Sequence, residues 1–228
     1  MGTSKGYIPP KDEHWRKAKL SVTNMVKNRM DKSFISKAVA DYGQAYTKTN
    51  LNNSVIVSAG ARLMDFISLF NDFGFEKALD EVGLSNLVGK DSIEVYLGLL
   101  DYFSGDNSTV DKSIVRDCMA DILENMDLEG KDDLDKIDGD ELLKDFIIKY
   151  IQFGFQVSFS EKIEGLVDDI DEMNQIINDV NEYIEVSIVD NYKTLELSEI
   201  NWKAEEGLSF VKDRCNEAFD ILITLRGE

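Results

Sequence analysis

Both prolines of the 228-residue chain, Pro9 and Pro10, fall within the first ten residues. Every later position can therefore donate its backbone N–H inside a helix. Apolar residues make up 43% of the chain and aromatics 10%, which supplies a substantial core and excludes an unfolded chain despite 30% charged residues. These features favour an all-α protein, a multi-helix bundle preceded by a flexible, extended N-terminal arm.

The arm covers residues 1–11. Gly2 and Gly6 loosen its backbone, and Pro9 and Pro10 then impose an extended path. Asp12 is placed to cap the first helix, which carries Trp15, Ala18, Leu20, Val22, Met25 and Val26. A second pattern starts at Ser33 with Phe34, Ala38, Val39, Tyr42 and Tyr46, and the turn-rich TNLNN ends it. Ile56, Gly60, Leu63, Ile67 and Phe70 then recur at spacings of 4, 3, 4 and 3, one helix face on which Ala59 and Gly60 admit a close neighbour. Further helices are predicted near 75–82, 92–103 and 109–126, the last capped by Asp106, Asn107 or Ser108.

The acidic, glycine-punctuated DLEGKDDLDKIDGD marks an internal boundary. The chain thus divides into the arm 1–11, an N-terminal helical bundle 12–126, an acidic linker 127–140 and a C-terminal helical layer 141–228, the layer being separate from the bundle or continuous with it. Beyond the linker, Leu143, Ile147 and Tyr150 begin a helix with a bend expected at 153–155. Phe159, Ile163, Leu166, Ile170, Met173, Ile177, Val180 and Ile184 alternate spacings of 4 and 3. That seam predicts one core-facing helix, or two broken near Gly165 and Asp168–Asp169, in preference to a free coiled-coil dimer. A last helix is expected from about Ala204 to Leu225 with Leu208, Val211, Cys215, Phe219 and Leu222 inside.

Charge is distributed unevenly. Residues 1–50 hold ten Lys or Arg against four Asp or Glu, whereas the remainder holds 15 against 40, within a net charge of −19. An acidic body repels phosphate backbones, so no direct nucleic-acid contact is expected of it. The basic first segment suits a phosphate-bearing ligand, an acidic partner surface or packing against its own body. No apolar run reaches the length of a membrane span, no signal-peptide core is present and the two cysteines build no disulfide framework, so a cytoplasmic setting is expected.

Candidate chemistry is sparse. With Gly130 as the obligatory EF-hand glycine, Asn125, Asp127 and Glu129 take early ligand positions, but Lys136 stands where a bidentate Glu is required. Alignment on Gly139 starts the loop at Leu134 and fails as well. One histidine, His14, with Cys118 and Cys215 far apart in sequence, makes no zinc cluster and no catalytic pair. The expectation is a chain without catalytic residues, without a metal and without a cofactor of its own. The arm is the exception. Removal of Met1 would expose the α-amine of Gly2, whose ordinary pKa near 7.7–8.0 leaves a nucleophilic fraction at neutral pH. Small Thr3 and Ser4, followed by Lys5, Gly6, Tyr7, Ile8, Pro9 and Pro10, suit a recognition tail that threads into a partner.

MGTSKGYIPP followed by HWRKAKLSVTNMVKN resembles the start of the QatB components of Qat anti-phage defence systems of bacteria. The similarity continues in GARLMDFISLF, in GLSNLVGKDSIEVYLGLLD and in INWKAEEGLSFVKDRCNEAFDIL, and so covers most of the chain. The resemblance implies a non-enzymatic cytoplasmic subunit. Its implied partners are an ATPase (QatA-type), a protein similar to 7-cyano-7-deazaguanine synthases (QueC-like, QatC-type) and a TatD-like nuclease (QatD-type). The synthase-like partner suggests Gly2 as the acceptor of a deazaguanine-type adduct, with Thr3 to Pro10 as the tail it recognises. The alternative is an acidic helical scaffold that docks the ATPase or nuclease without covalent change.

Overall fold

The structure, a computed structural model, describes residues 11–28, 31–49, 55–105, 109–126, 137–193 and 200–225. The arm residues Gly2 to Pro10 and most of the acidic segment lie outside them. The described residues form α1 (Glu13–Lys27), α2 (Lys32–Thr49), α3 (Val55–Phe73), α4 (Phe75–Glu81), α5 (Ser92–Ser104), α6 (Val110–Asn125), α7 (Gly139–Glu164), α8 (Ile170–Asn191) and α9 (Glu205–Thr224), with a 3-10 turn at Ser85–Leu87 and no strand among them. The protein is all-α.

Local signals set most helix starts. The Asp12 carboxylate accepts the Trp15 N–H at 3.0 Å, and Asp91 accepts that of Glu94 at 2.8 Å, each satisfying an N-terminal donor that has no intrahelical partner. At α6 the cap is Thr109, whose hydroxyl accepts the Lys112 N–H, and not one of the three residues before it. Gly74 and Gly105 break the chain between helices with φ of 84° and 66°, a region that a side chain disfavours.

Contacts divide the chain into two compact units that interleave in sequence. One comprises Met1–Asn53, Ile151–Lys193 and Asn216–Glu228, and the other Ser54–Tyr150 and Thr194–Cys215. Long-range helix packing draws these limits, and the polar composition of a segment does not reveal it.

The first unit is built on aromatic rings. Tyr42 meets Trp15, Phe155 and Phe159 at centroid separations of 5.5–6.0 Å, and Tyr46 stacks on Phe219 at 5.1 Å. Gly154 on α7 lies under the Tyr42 hydroxyl with no room for a Cβ. Residues 153–155, where a bend was expected, lie inside one unbroken helix. The seam from Phe159 to Ile184 does break, since α7 ends at Glu164 and α8 starts at Ile170. Phe159, Ile163, Val180 and Ile184 are buried, but Leu166 is exposed and Ile170 is 65% exposed. The break rotates the apolar stripe, so Ile176 replaces Ile177 as the core residue of the first α8 turns. Leu20 departs from its pattern too, being 61% exposed on α1 while Ser21 faces inward.

The second unit packs α3 at its centre. Ile56, Gly60, Leu63, Ile67 and Phe70 are all buried, as their spacing predicts. A Cβ on Gly60 would meet Val211 at 2.8 Å and Leu143 and Phe146 at 3.4 Å, which is the close approach a glycine permits. Phe66 contacts Phe75 and Phe103 edge-on. The Asn71 side-chain amide donates to the Ile137 carbonyl at 2.8 Å and accepts its N–H at 2.9 Å, fixing the chain just before α7.

Candidate functional site

The second unit carries an open pocket of about 390 Å³. Helix α3 supplies Ser58, Ala61, Arg62 and Asp65, which share a face because they recur every three or four residues. The end of α4 adds Glu81 and Val82, α5 adds Tyr102, and the turn into α9 adds Trp202, Lys203 and Leu208.

Each polar group is held by identifiable neighbours. The Arg62 guanidinium donates through Nη1 to the carbonyls of Tyr102 at 3.1 Å and Phe103 at 3.4 Å, acceptors left over at the C-terminal end of α5. Lys203 Nζ stands 3.9 Å from Asp65 Oδ2, the outer limit of an ion pair. Partial burial pushes the Asp65 carboxyl above its ordinary value, and Lys203 offsets this only in part. Burial, with the Asp65 charge adding to it, also pushes the Tyr102 hydroxyl up, while Arg62 opposes the shift. Glu81 is held low by a hydrogen bond from Lys77, 2.9 Å away on the same helix turn.

The fourth wall is a tight turn. The Ala204 N–H donates to the Asn201 carbonyl at 3.1 Å, and the Asn201 N–H reaches Glu206 Oε2 at 3.4 Å. Gly207 then packs against the Trp202 backbone, and the Trp202 ring meets Phe210 edge-on at 5.6 Å. Because Gly207 faces inward, Leu208, which the apolar pattern places in the core, is 41% exposed at the pocket rim. The pocket joins two cations and two carboxylates to aromatic walls. Such a mixture of charged and aromatic groups suits the binding of a polar ligand.

His14, Cys118 and Cys215, singled out in the sequence, do not line the pocket. Gly2, Thr3, Ser4, Lys5, Gly6, Tyr7, Ile8, Pro9 and Pro10 lie outside the described residues. His14 is half-buried in the first turn of α1. Cys118 and Cys215 are buried free thiols. Burial pushes the Cys215 thiol up to about 12 and the Cys118 thiol well above its usual range. Among the described residues no group of three His, Cys, Asp or Glu is arranged for a metal, and no helix is long and apolar enough to cross a membrane.

Sequence reasoning missed two buried polar constellations as well as the pocket. Asp41, 2% exposed on α2, accepts the Ser21 hydroxyl at 2.6 Å and has Lys17 and Lys37 at 3.2 and 3.3 Å. In the second unit, Arg214 and Asp140 form a buried pair 3.7 Å apart. For the pocket, a signal was present: Arg62 and Asp65 interrupt the apolar GARLMDFISLF at a three-residue interval. Two of the resemblance blocks supply lining residues to the pocket. GARLMDFISLF and INWKAEEGLSFVKDRCNEAFDIL line it, and GLSNLVGKDSIEVYLGLLD runs between its residues Val82 and Tyr102.

A family model described as QatB, Qat anti-phage system associated protein QatB, matches residues 43–222, a span that includes every pocket residue and none of the arm. No curated protein matches, and no solved structure does.

Proposed function

The chain belongs to the QatB family and is thus a component of a Qat anti-phage system, and from that premise we propose that its N-terminal tail is recognised and covalently modified by a second component of the system. In this reading the protein is a carrier and not an enzyme. Gly2, exposed by loss of Met1, is the acceptor, and Thr3, Ser4, Lys5, Gly6, Tyr7, Ile8, Pro9 and Pro10 are the tail that the partner grips. The partner is a cytoplasmic protein similar to 7-cyano-7-deazaguanine synthases. The neutral Gly2 amine attacks an activated carboxyl group on a deazaguanine-type base. An N–C bond forms, the activating group leaves with its electron pair, and the amine gives up one proton.

The observation that carries this reading is the opening MGTSKGYIPP, in which Gly2 follows Met1, small residues come next and two prolines close the segment ahead of the acidic body. Intact-mass spectrometry of the chain, expressed with and without the other system components, tests it. A mass increase confined to the N-terminal peptide and abolished by blocking Gly2 is expected. An unmodified N-terminus in an active system, or full defence by a Gly2-blocked chain, would sink the proposal.

A second reading, a scaffold that docks the ATPase or the nuclease, is favoured by the pocket, because it lies in the body and within the family match. Deletion of residues 2–10 separates the two readings. Loss of partner binding without any mass change in the parent protein favours the scaffold.

A further inference from the structure

We infer that the pocket between α3, α5 and the Trp202–Lys203 turn is the anchor site for a partner polypeptide, which places an acidic side chain against Arg62 beside an apolar residue on Leu208. This deepens the scaffold reading, since it names the docking face and the chemistry of what docks there.

The residue types suit a protein partner. Trp, Tyr and Arg are the residues most enriched among those that dominate interface energies. An open pocket of about 390 Å³ accepts one or two side chains of a chain that continues outside it. Leu208, 41% exposed at the rim, offers apolar surface to the neighbouring residue.

Charge decides what enters. Both carboxylates already have cations, Glu81 through Lys77 at 2.9 Å and Asp65 through Lys203 at 3.9 Å. The Arg62 guanidinium donates only to carbonyl oxygens and meets no carboxylate among the described residues. Arg62 is therefore the charged lining residue that lacks an ion-pair partner among the described residues, in a pocket whose lining carries two cations and two carboxylates. At hydrogen-bond distance the Arg62 guanidinium, and not the net charge of the chain, decides what binds, because exposed charges farther away than about 8–10 Å are largely screened at physiological salt. A carboxylate can take two parallel hydrogen bonds from a guanidinium, and the bonds to Tyr102 and Phe103 already hold the Arg62 plane. Lys203, loosely held by Asp65, can turn onto the same carboxylate at little cost.

The test uses the full chain labelled with 15N and two blocked tripeptides, acetyl-Leu-Glu-Leu-amide and acetyl-Leu-Gln-Leu-amide, with the Trp202 indole N–H and the Arg62 side-chain signals followed by NMR. The Glu peptide is expected to shift these signals saturably, about tenfold more tightly than the Gln peptide. Arg62→Gln should abolish the preference, and Asp65→Asn should strengthen Glu-peptide binding several-fold by releasing Lys203. Equal binding of both peptides, shifts confined to other residues, or tighter binding of acetyl-Leu-Lys-Leu-amide would overturn the inference. Co-purification with the other system components then separates it from the tail reading. Arg62→Glu should lower the recovered partner at least tenfold while leaving the mass of the Gly2 peptide as in the parent protein. If only deletion of residues 2–10 lowers recovery, the tail reading stands and the pocket does not.

Discussion

The Trp202 backbone lies so close to Gly207 that a Cβ there would stand 2.6 Å from the Trp202 Cα and 2.8 Å from its carbonyl oxygen. Backbone atoms cannot swing aside as a side-chain tip does, so the turn that forms one wall of the pocket depends on a missing side chain. Gly207→Ala gains helix propensity, but the clash outweighs it, and a net loss of about 1–3 kcal/mol is expected. For a chain of this size that lowers Tm by about 2–4 °C per kcal/mol. Trp202 fluorescence, isolated in a Trp15→Phe background, should shift at the same time. An unchanged emission maximum together with an unchanged Tm would show that the turn tolerates a methyl group.

Asp41 ties α1 to α2 through Ser21, Lys17 and Lys37. Asp41→Ala leaves the buried Ser21 hydroxyl without its acceptor, whereas the half-exposed lysines can return to water. The expected cost is about 1–3 kcal/mol. Urea unfolding checks this as a lower midpoint at unchanged slope. A change in slope would instead indicate a different denatured ensemble.

Asp65 makes stability depend on pH. Burial raises its folded pKa above the unfolded one, so the native state holds a proton that the unfolded chain has lost between the two values. Stability from this group is complete below the unfolded value, near pH 3.9, and is lost as pH rises through the folded value. Asp65→Asn cannot ionise and should show a higher Tm than the parent protein at pH 7, the gap closing below about pH 4. A lower Tm at pH 7 would mean that the Lys203 contact outweighs burial.

The thiols of Cys118 and Cys215 are buried and pushed upward, Cys215 to about 12, so the reactive thiolate is scarce at neutral pH. Native protein at pH 8 should not react with 5,5′-dithiobis(2-nitrobenzoic acid) over an hour, and both cysteines should react once urea unfolds the chain. Stoichiometric reaction in the native state would show that one of the two sites opens locally.

Much of the fold was legible in the sequence. The absence of proline after Pro10 favoured helices, Asp12 announced the start of the first, and the spacing from Ile56 to Phe70 identified the buried face of α3. The heptad seam was legible only in part. Its periodicity continues through Gly165–Asp169, where the helix itself does not, so Leu166 and Ile170 emerge into solvent. Leu20 and Leu208 fit a stripe on paper, yet Ser21 and Gly207 occupy the inward positions.

The sequence by itself determined the helical class and most helix limits, because these follow from local preferences and from the apolar periodicity. Tertiary structure alone decided that the compact units interleave, that Asp41, Asp140 and Arg214 are buried, and that Arg62, Asp65, Tyr102 and Lys203 share one pocket. Those outcomes depend on which distant segments pack together. A periodicity fixes the face of a helix that turns inward but carries no record of what it will meet there.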